Sequence, residues 1–168
     1  MTRVVVLAAG NDARGDDAIG PRLLEKVEAL RLPQVRTVFD FQFQVEHALE
    51  LDGADLALFI DADATAECPV SLVELRAGRT PAAATHALTP AEVLGVHARV
   101  GRAPAPPVFV LAVAGVGFDL GADLSPTARS ALGEAERLVD TLLTTPEPAA
   151  WRQACDETTV TPRDAFRR

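Results

Sequence analysis

The spacing of apolar residues along the chain predicts alternating strands and helices. Residues 4–9 form an unbroken apolar run before Gly10, which is typical of a strand buried on both faces of a parallel sheet. Apolar side chains then recur at helical spacing over residues 19–30, and Pro33 ends that helix. The remaining strands are predicted at residues 35–41, 55–61, 70–75 and 108–113, and the remaining helices at residues 45–51, 90–100 and from 126 to about 143. This alternation predicts an α/β fold, a three-layer α/β/α sandwich around a mostly parallel sheet of about five strands, with residues 70–75 near a sheet edge.

The end of the chain differs in pattern from the rest. From Thr145 onward, prolines and polar residues replace the periodic apolar positions. We therefore predict one α/β domain over residues 1–145 and a tail over residues 146–168, with a short helix around Trp151 as the possible exception. Residues 39, 41 and 43 are alternating phenylalanines, for which we expect packing within the sheet, with contact to a partner as the alternative.

Composition narrows the class of protein. The 168 residues carry a formal net charge of −8, which argues against nucleic acid as a partner because phosphate backbones recruit Lys and Arg. No apolar run approaches the roughly 20 residues that span a bilayer, so no membrane insertion is expected. The first apolar run is too short for a signal peptide, and Cys68 and Cys155 form no metal or disulfide pattern. We expect a cytoplasmic protein with reduced thiols.

The turn after the first strand carries the most informative residues. Gly10 and Gly20 enclose the adjacent carboxylates of Asp16 and Asp17, where the next helix begins. A glycine-rich turn between a strand and a helix often binds phosphate, but two carboxylates would repel it. The turn therefore favours a divalent cation or chemistry that needs a carboxylate.

Further polar side chains are expected at the same edge of the sheet. Asp61 and Asp63 lie at the end of a predicted strand, and His86 precedes a helix that Thr89 caps and Pro90 begins. Because ligands bind at the carboxyl ends of strands in open α/β sheets, these groups are expected to converge with Asp17. Carboxylates with an imidazole suit nickel or zinc, and three protein ligands leave a position open for water or substrate.

Each of these residues also has a structural explanation. Asp16 or Asp17 suits the N-cap of the helix, although both cannot occupy one cap. Asp61 can end its strand by accepting loop N–H groups, and Asp63 and His86 can be ordinary loop residues. His47 and His97 fall within helical patterns, so we expect structural or solvated roles for them. No G-x-S-x-G, H-E-x-x-H, P-loop or G-x-G-x-x-G motif is present.

Four motifs in order resemble the hydrogenase maturation endopeptidases, which process the large subunit of [NiFe] hydrogenases. The first is an apolar strand followed by G-N-x-x-x-x-D-[DE]-x-x-G, here Gly10-Asn11, Asp16-Asp17 and Gly20. The others are Phe59-Ile60-Asp61-Ala62, Thr85-His86 before a helix, and Leu124-Ser125-Pro126. The resemblance covers about residues 3 to 144.

The resemblance implies a cytoplasmic peptide-bond hydrolase with one partner. Its substrate is the [NiFe] hydrogenase large-subunit precursor, from which it removes a C-terminal extension after nickel insertion. The family's metal-contacting positions correspond to Asp17, Asp61 and His86, which are the implied catalytic and metal-binding residues. The resemblance also implies that nickel is supplied by the substrate, and no permanently bound cofactor is expected.

The sequence leaves the mechanism and two other functions open. Substrate nickel or a water near it can drive hydrolysis with a carboxylate as general base, or Asp17 and Asp61 can act as an aspartyl-type pair. The alternatives are a metal-dependent hydrolase of small molecules and a maturation chaperone that binds without cutting. A flavodoxin-like flavin binder is disfavoured by the acidic first loop and by the absence of tyrosine.

Overall fold

A single five-stranded sheet organises the chain. The computed structural model describes residues 1–76 and 87–159. The strands are β1 (Val4–Ala9), β2 (Val35–Asp40), β3 (Leu56–Asp63), β4 (Val70–Leu75) and β5 (Val108–Ala114). The α-helices are α1 (Ile19–Ala29), α2 (Pro90–Val100), α3 (Pro126–Thr144) and α4 (Pro148–Thr159). Two 3-10 helices lie at Gly15–Ala18 and Val45–Leu51. The strand order is β2-β1-β3-β5-β4. All neighbouring strands are parallel except the edge pair β4 and β5. The predicted three-layer architecture is confirmed, and residues 70–75 form an edge strand as expected.

Both faces of the sheet are covered, which explains the continuous apolar runs. Along β1, Val4, Val6 and Ala8 pack into the core beneath α1, α3 and α4. The alternate residues Val5, Leu7 and Ala9 pack into a second core beneath Val45–Leu51 and α2. Because successive strand residues point to opposite faces, a strand between two cores must be apolar at every position.

Two helices begin with a side-chain cap, of which the sequence predicted the one at Thr89. The Thr89 side chain accepts from the Glu92 backbone N–H at 3.2 Å, and Glu92 in turn accepts from the Thr89 N–H at 2.6 Å. Ser125 caps α3 by accepting from the Ala128 N–H at 3.1 Å. Each cap satisfies a donor in the first turn that has no partner within the helix.

The expected tail begins with a helix that belongs to the core. Trp151 on α4 is fully buried, donates from its indole nitrogen to the Leu142 carbonyl at 2.8 Å, and contacts Phe109 edge-to-face at 5.2 Å. The Thr158 hydroxyl also accepts from the Leu72 N–H at 3.1 Å, which fastens α4 to the edge strand β4. Residues 148–159 are therefore part of the packed structure, because one large aromatic side chain outweighs the polar surroundings that suggested a tail. Residues 160–168 lie outside the described part.

The expectation for the alternating phenylalanines needs correction, whereas the short helix at residues 45–51 is present. Phe43 is buried as predicted, but Phe39 and Phe41 are 47% and 63% exposed and contact each other edge-to-face at 5.8 Å. They lie at the end of edge strand β2 and beyond it, where no other strand of the described residues adjoins the sheet. The element at residues 45–51 is a 3-10 helix, in which Gln44 and His47 form a capping box.

Candidate active site

Strand register brings the carboxylates that follow β1 and those of β3 to one edge of the sheet. Ala8 pairs with Ile60 in the parallel ladder, so the turn after Ala9 lies beside Asp61. The strand β3 runs two residues further than predicted, to Asp63. Asp61 is therefore the third residue from the end of the strand. The turn that leads to Asp17 therefore begins beside Asp61, at the edge of the sheet where the sequence predicts a site.

The Asp17 side chain is held by its own turn. One carboxylate oxygen accepts from the Asn11 backbone N–H at 2.9 Å, and the Asp17 N–H donates to the Arg14 carbonyl at 3.1 Å. The expected N-cap role is wrong for Asp17 as well as for Asp16, since neither the 3-10 helix at Gly15–Ala18 nor α1 has a side-chain cap. The 3-10 turn runs directly into α1, so its backbone provides the continuity that a cap would otherwise supply.

Asp61 is the titratable group whose environment is most altered at this edge. Burial raises the pKa of Asp61 to about 6, while a hydrogen bond from the Ala62 backbone lowers it. The nearby charges of Asp17 and Asp63 raise this pKa further. A carboxyl with a pKa near neutrality is suited to proton transfer at physiological pH.

Asp16 has a different role from its neighbour. Its carboxylate is fully buried and accepts four hydrogen bonds from Val116, Gly117 and Ser125. Burial raises the pKa of Asp16, but the hydrogen bonds from Ser125, Val116 and Gly117 outweigh that effect and hold the pKa below its ordinary value. Asp16 therefore stays ionised and points into the protein, with no free oxygen for a ligand.

The glycine that closes the first motif is required by close packing. A Cβ at Gly20, the second residue of α1, would lie 2.0 Å from the Ala9 carbonyl oxygen. Any side chain there would push α1 away from the end of β1. The motif thus combines residues that shape the turn with one carboxylate, Asp17, that the turn presents.

The remaining predicted residues divide into structural and undescribed ones. Asp63 accepts from the Thr65 N–H at 2.8 Å and its hydroxyl at 2.7 Å, which is the turn role expected for it. His86 lies outside the described residues, so the predicted triad of Asp17, Asp61 and His86 stays a prediction. Within residues 1–76 and 87–159, no group of three or more His, Cys, Asp or Glu is arranged to hold a metal ion.

The two described histidines have structural partners. His97 is buried and its Nε2 lies 3.0 Å from a carboxylate oxygen of Asp52. His47 is also buried and its Nδ1 accepts from the Gln44 N–H at 2.8 Å. Both agree with the structural roles expected from their helical patterns.

One carboxylate at this edge was not singled out from the sequence. Asp40 is the last residue of β2 and pairs with Ala9, and its carbonyl accepts from the Gly10 N–H at 3.3 Å. Its carboxylate lies 3.5 Å from Nε2 of His47. The signal that could have found it is the one used for Asp61, a carboxylate that ends a predicted strand.

Comparison with known proteins identifies the architecture. Among solved structures, a [NiFe] hydrogenase maturation protease, HycI from Thermococcus kodakarensis KOD1, matches with a TM-score of 0.65 and 20% identity over 86% of this chain and 94% of that chain. The hydrogenase maturating endopeptidase HybD from E. coli matches with a TM-score of 0.64 and 23% identity over the same shares of 86% and 94%. The fold is that of the hydrogenase maturation proteases.

A third solved structure supports the same assignment. An endopeptidase from Escherichia coli matches with a TM-score of 0.62 and 23% identity, covering 91% of this chain and 94% of that chain. The fold that the sequence motifs implied is thereby confirmed. No protein-family model matches the sequence, and no curated protein does so either.

Proposed function

We propose that this protein is an endopeptidase that removes the C-terminal extension of a [NiFe] hydrogenase large-subunit precursor. The observation that carries the proposal is the position of Asp61 beside the turn of Asp17, within reach of its charge, in a fold shared with hydrogenase maturation proteases. The four sequence motifs point to the same reaction. In the described residues no helix is long and apolar enough to cross a membrane. The proposal places the enzyme in the cytoplasm.

Nickel in this proposal belongs to the substrate. Asp17 and Asp61, together with His86, complete the coordination of nickel that the precursor already holds. Carboxylate and imidazole are ligands only when deprotonated, so three such groups bind a free ion modestly but recognise one whose other ligands come from the precursor. Cleavage is thereby restricted to precursor in which metal insertion is complete, and the protease needs no resident cofactor.

Hydrolysis needs a base for the attacking water and polarisation of the scissile carbonyl. Without metal, burial and the Asp17 charge bring the pKa of Asp61 to about 6, so the carboxyl is mostly ionised at neutral pH. One of its oxygens can then bind nickel while the other accepts a proton from the attacking water. Substrate nickel polarises the carbonyl as a Lewis acid. The competing aspartyl-type reaction would have Asp17 and Asp61 share one proton without metal.

The exposed aromatic pair provides a surface for the precursor. Phe39 and Phe41 are uncovered at the end of β2, next to the edge that carries Asp17. Exposed aromatic side chains are frequent contact residues between proteins. The proposal assigns this pair to the large subunit during processing.

The proposed function is tested by incubating the protein with nickel-loaded and nickel-free precursor and recording intact masses. Loss of the C-terminal extension from the loaded precursor alone is expected. Cleavage of both forms would remove nickel from recognition and favour the aspartyl-type reaction. Stable binding without cleavage of either form would favour a maturation chaperone.

A further inference from the structure

The carboxylate of Asp16 joins two loops at the proposed active site. One of its oxygens accepts from the Val116 N–H at 2.7 Å, the Gly117 N–H at 3.0 Å and the Ser125 hydroxyl at 2.7 Å. The other accepts from the Ser125 N–H at 2.7 Å. All four donors lie in the connection between β5 and α3, far from Asp16 in the sequence.

Backbone hydrogen bonds extend the same junction. The Asp16 N–H donates to the Gly117 carbonyl at 2.7 Å, and the Gly15 N–H donates to the Ala122 carbonyl at 3.1 Å. In the opposite direction, the Gly121 N–H donates to the Ala13 carbonyl at 2.7 Å. The turn before α1 and the turn before α3 therefore form one hydrogen-bonded unit.

The approach of the two loops depends on Gly15. This residue has a φ of +56°, and a Cβ added to it would lie 2.4 Å from the Gly117 carbonyl oxygen. A side chain at this position would separate the loops and strain the backbone. The close approach is what brings the Asp16 carboxylate within reach of its donors.

We infer that Asp16 is a positioning residue that fixes Asp17 at the active site. This inference rests on the proposed function, in which Asp17 takes part in the reaction. Asp16 is held on both its side chain and its N–H, and a single planar peptide unit connects it to Asp17. The orientation of the Asp17 carboxylate is then held by one hydrogen bond, which it accepts from the Asn11 N–H at 2.9 Å. Catalytic groups require such support, because a displacement of about 1 Å can lower a rate about 100-fold.

The test replaces Asp16 without changing its shape. In Asp16→Asn, an NH₂ group takes the place of one oxygen and faces a backbone N–H, so at least one of the four bonds is lost. We expect faster hydrogen exchange at the Asn11 amide, because Asp17 no longer accepts from it in a fixed position. For nickel-loaded precursor we expect kcat to fall about 10- to 100-fold with KM within about twofold.

Two controls separate positioning from general destabilisation. Asp52 also accepts several hydrogen bonds, from His97 and from the Arg102 N–H, but it precedes β3 at the opposite end of the strands. Asp52→Asn is expected to leave Asn11 exchange and kcat unchanged. If Asp16→Asn does not fold, Ser125→Ala is compared with Ser125→Thr, which retains the hydroxyl that donates to Asp16 and caps α3.

The outcomes distinguish this inference from the proposed function. Faster exchange at Asn11 with lowered kcat supports positioning by Asp16. In the Ser125 pair, Ser125→Ala should show both changes, and Ser125→Thr should keep both quantities near those of the unmodified protein. Unchanged Asn11 exchange, or faster exchange with unchanged kcat, overturns it. If the unmodified protein cleaves no precursor, the proposed function fails, and the Asn11 exchange rate still decides whether Asp16 positions Asp17.

Discussion

Asp61 lies within the electrostatic field of Asp17, although the two residues belong to different strand–loop segments. Burial is the larger cause of the raised pKa of Asp61, about 6, and the Asp17 charge adds to it. The pair is possible because β1 and β3 are adjacent and parallel, so that both segments end at one edge of the sheet. A negative charge placed next to a half-buried carboxyl is unfavourable for stability, and active sites commonly retain such arrangements.

The first prediction concerns stability and pH. The pKa of Asp61 is raised in the folded protein above its unfolded value of about 3.9. Its contribution to stability is therefore fully present below about pH 4 and is lost as the pH rises through about 6. In buffer containing EDTA, the free energy of unfolding of the unmodified protein relative to Asp61→Asn should fall by about 2–3 kcal/mol between about pH 4 and pH 7.

Urea unfolding followed by circular dichroism at a series of pH values measures this difference. Asp63→Asn is the matched comparison: it removes a turn carboxylate whose charge is a lesser cause of the raised Asp61 pKa, so its effect should vary less with pH. A difference between the unmodified protein and Asp61→Asn that does not vary with pH would show that the Asp61 pKa is ordinary.

The second prediction concerns two helical glycines that differ only in surroundings. Gly20→Ala should destabilise the protein by roughly 1–3 kcal/mol or more, because the added Cβ would lie 2.0 Å from the Ala9 carbonyl oxygen. Gly133→Ala in α3 should stabilise it by about 0.5–1 kcal/mol, since the nearest atom to its Cβ is the end of the Arg137 side chain at 3.9 Å. Chemical denaturation of both variants checks the signs. Equal effects would mean that α1 does not approach β1 as closely as described.

The third prediction concerns α4. Trp151→Ala should lower the free energy of unfolding by about 3–5 kcal/mol, because a fully buried indole would be lost together with its bond to Leu142. Leu120→Ala, at a side chain that is largely exposed, should change it by less than about 0.5 kcal/mol. Thermal or urea unfolding followed by far-ultraviolet circular dichroism suits both variants. If Trp151→Ala were as mild as Leu120→Ala, residues 148–159 would behave as the tail that the sequence suggested.

Local patterns predicted most of the fold because local chemistry determines it. The apolar run of β1, the cap at Thr89 and the edge position of β4 all follow from residues near one another in the sequence. The errors involve contacts between distant residues. The polar residues around Trp151 in the sequence suggest a tail, but in the fold its ring contacts Phe109 and its indole N–H donates to the Leu142 carbonyl. Phe39 and Phe41 alternate as residues of a buried strand do, but within residues 1–76 and 87–159 no strand pairs with the outer edge of β2.

The candidate site was predictable to a similar extent. Parallel strands place Asp17 and Asp61 at one edge by topology alone, and the motif resemblance singled out the same two residues. The different hydrogen-bond partners of Asp16 and Asp17 were not predictable, because Val116, Gly117 and Ser125, which bind Asp16, are remote in sequence from the acidic pair. The sequence favoured a helix cap for one of the two residues, whereas in the structure Asp16 binds a distant loop and the Asp17 carboxylate accepts from the Asn11 N–H.

The fourth prediction addresses the central claim, that Asp17 and Asp61 act together on the precursor. Asp17→Asn and Asp61→Asn keep the side-chain shape but remove the charge needed to bind nickel or accept a proton. Each should lower the initial rate of cleavage at least about 100-fold, as expected when an essential acid–base group is lost. Asp63→Asn should cleave at close to the unmodified rate.

The most direct measurement is the initial rate at which nickel-loaded precursor loses its C-terminal extension, followed by intact mass for the unmodified protein and these three variants. We expect rapid cleavage by the unmodified protein and Asp63→Asn, and almost none by Asp17→Asn and Asp61→Asn with circular dichroism unchanged. Cleavage by folded Asp17→Asn or Asp61→Asn at the unmodified rate would show that these carboxylates do not act on the precursor.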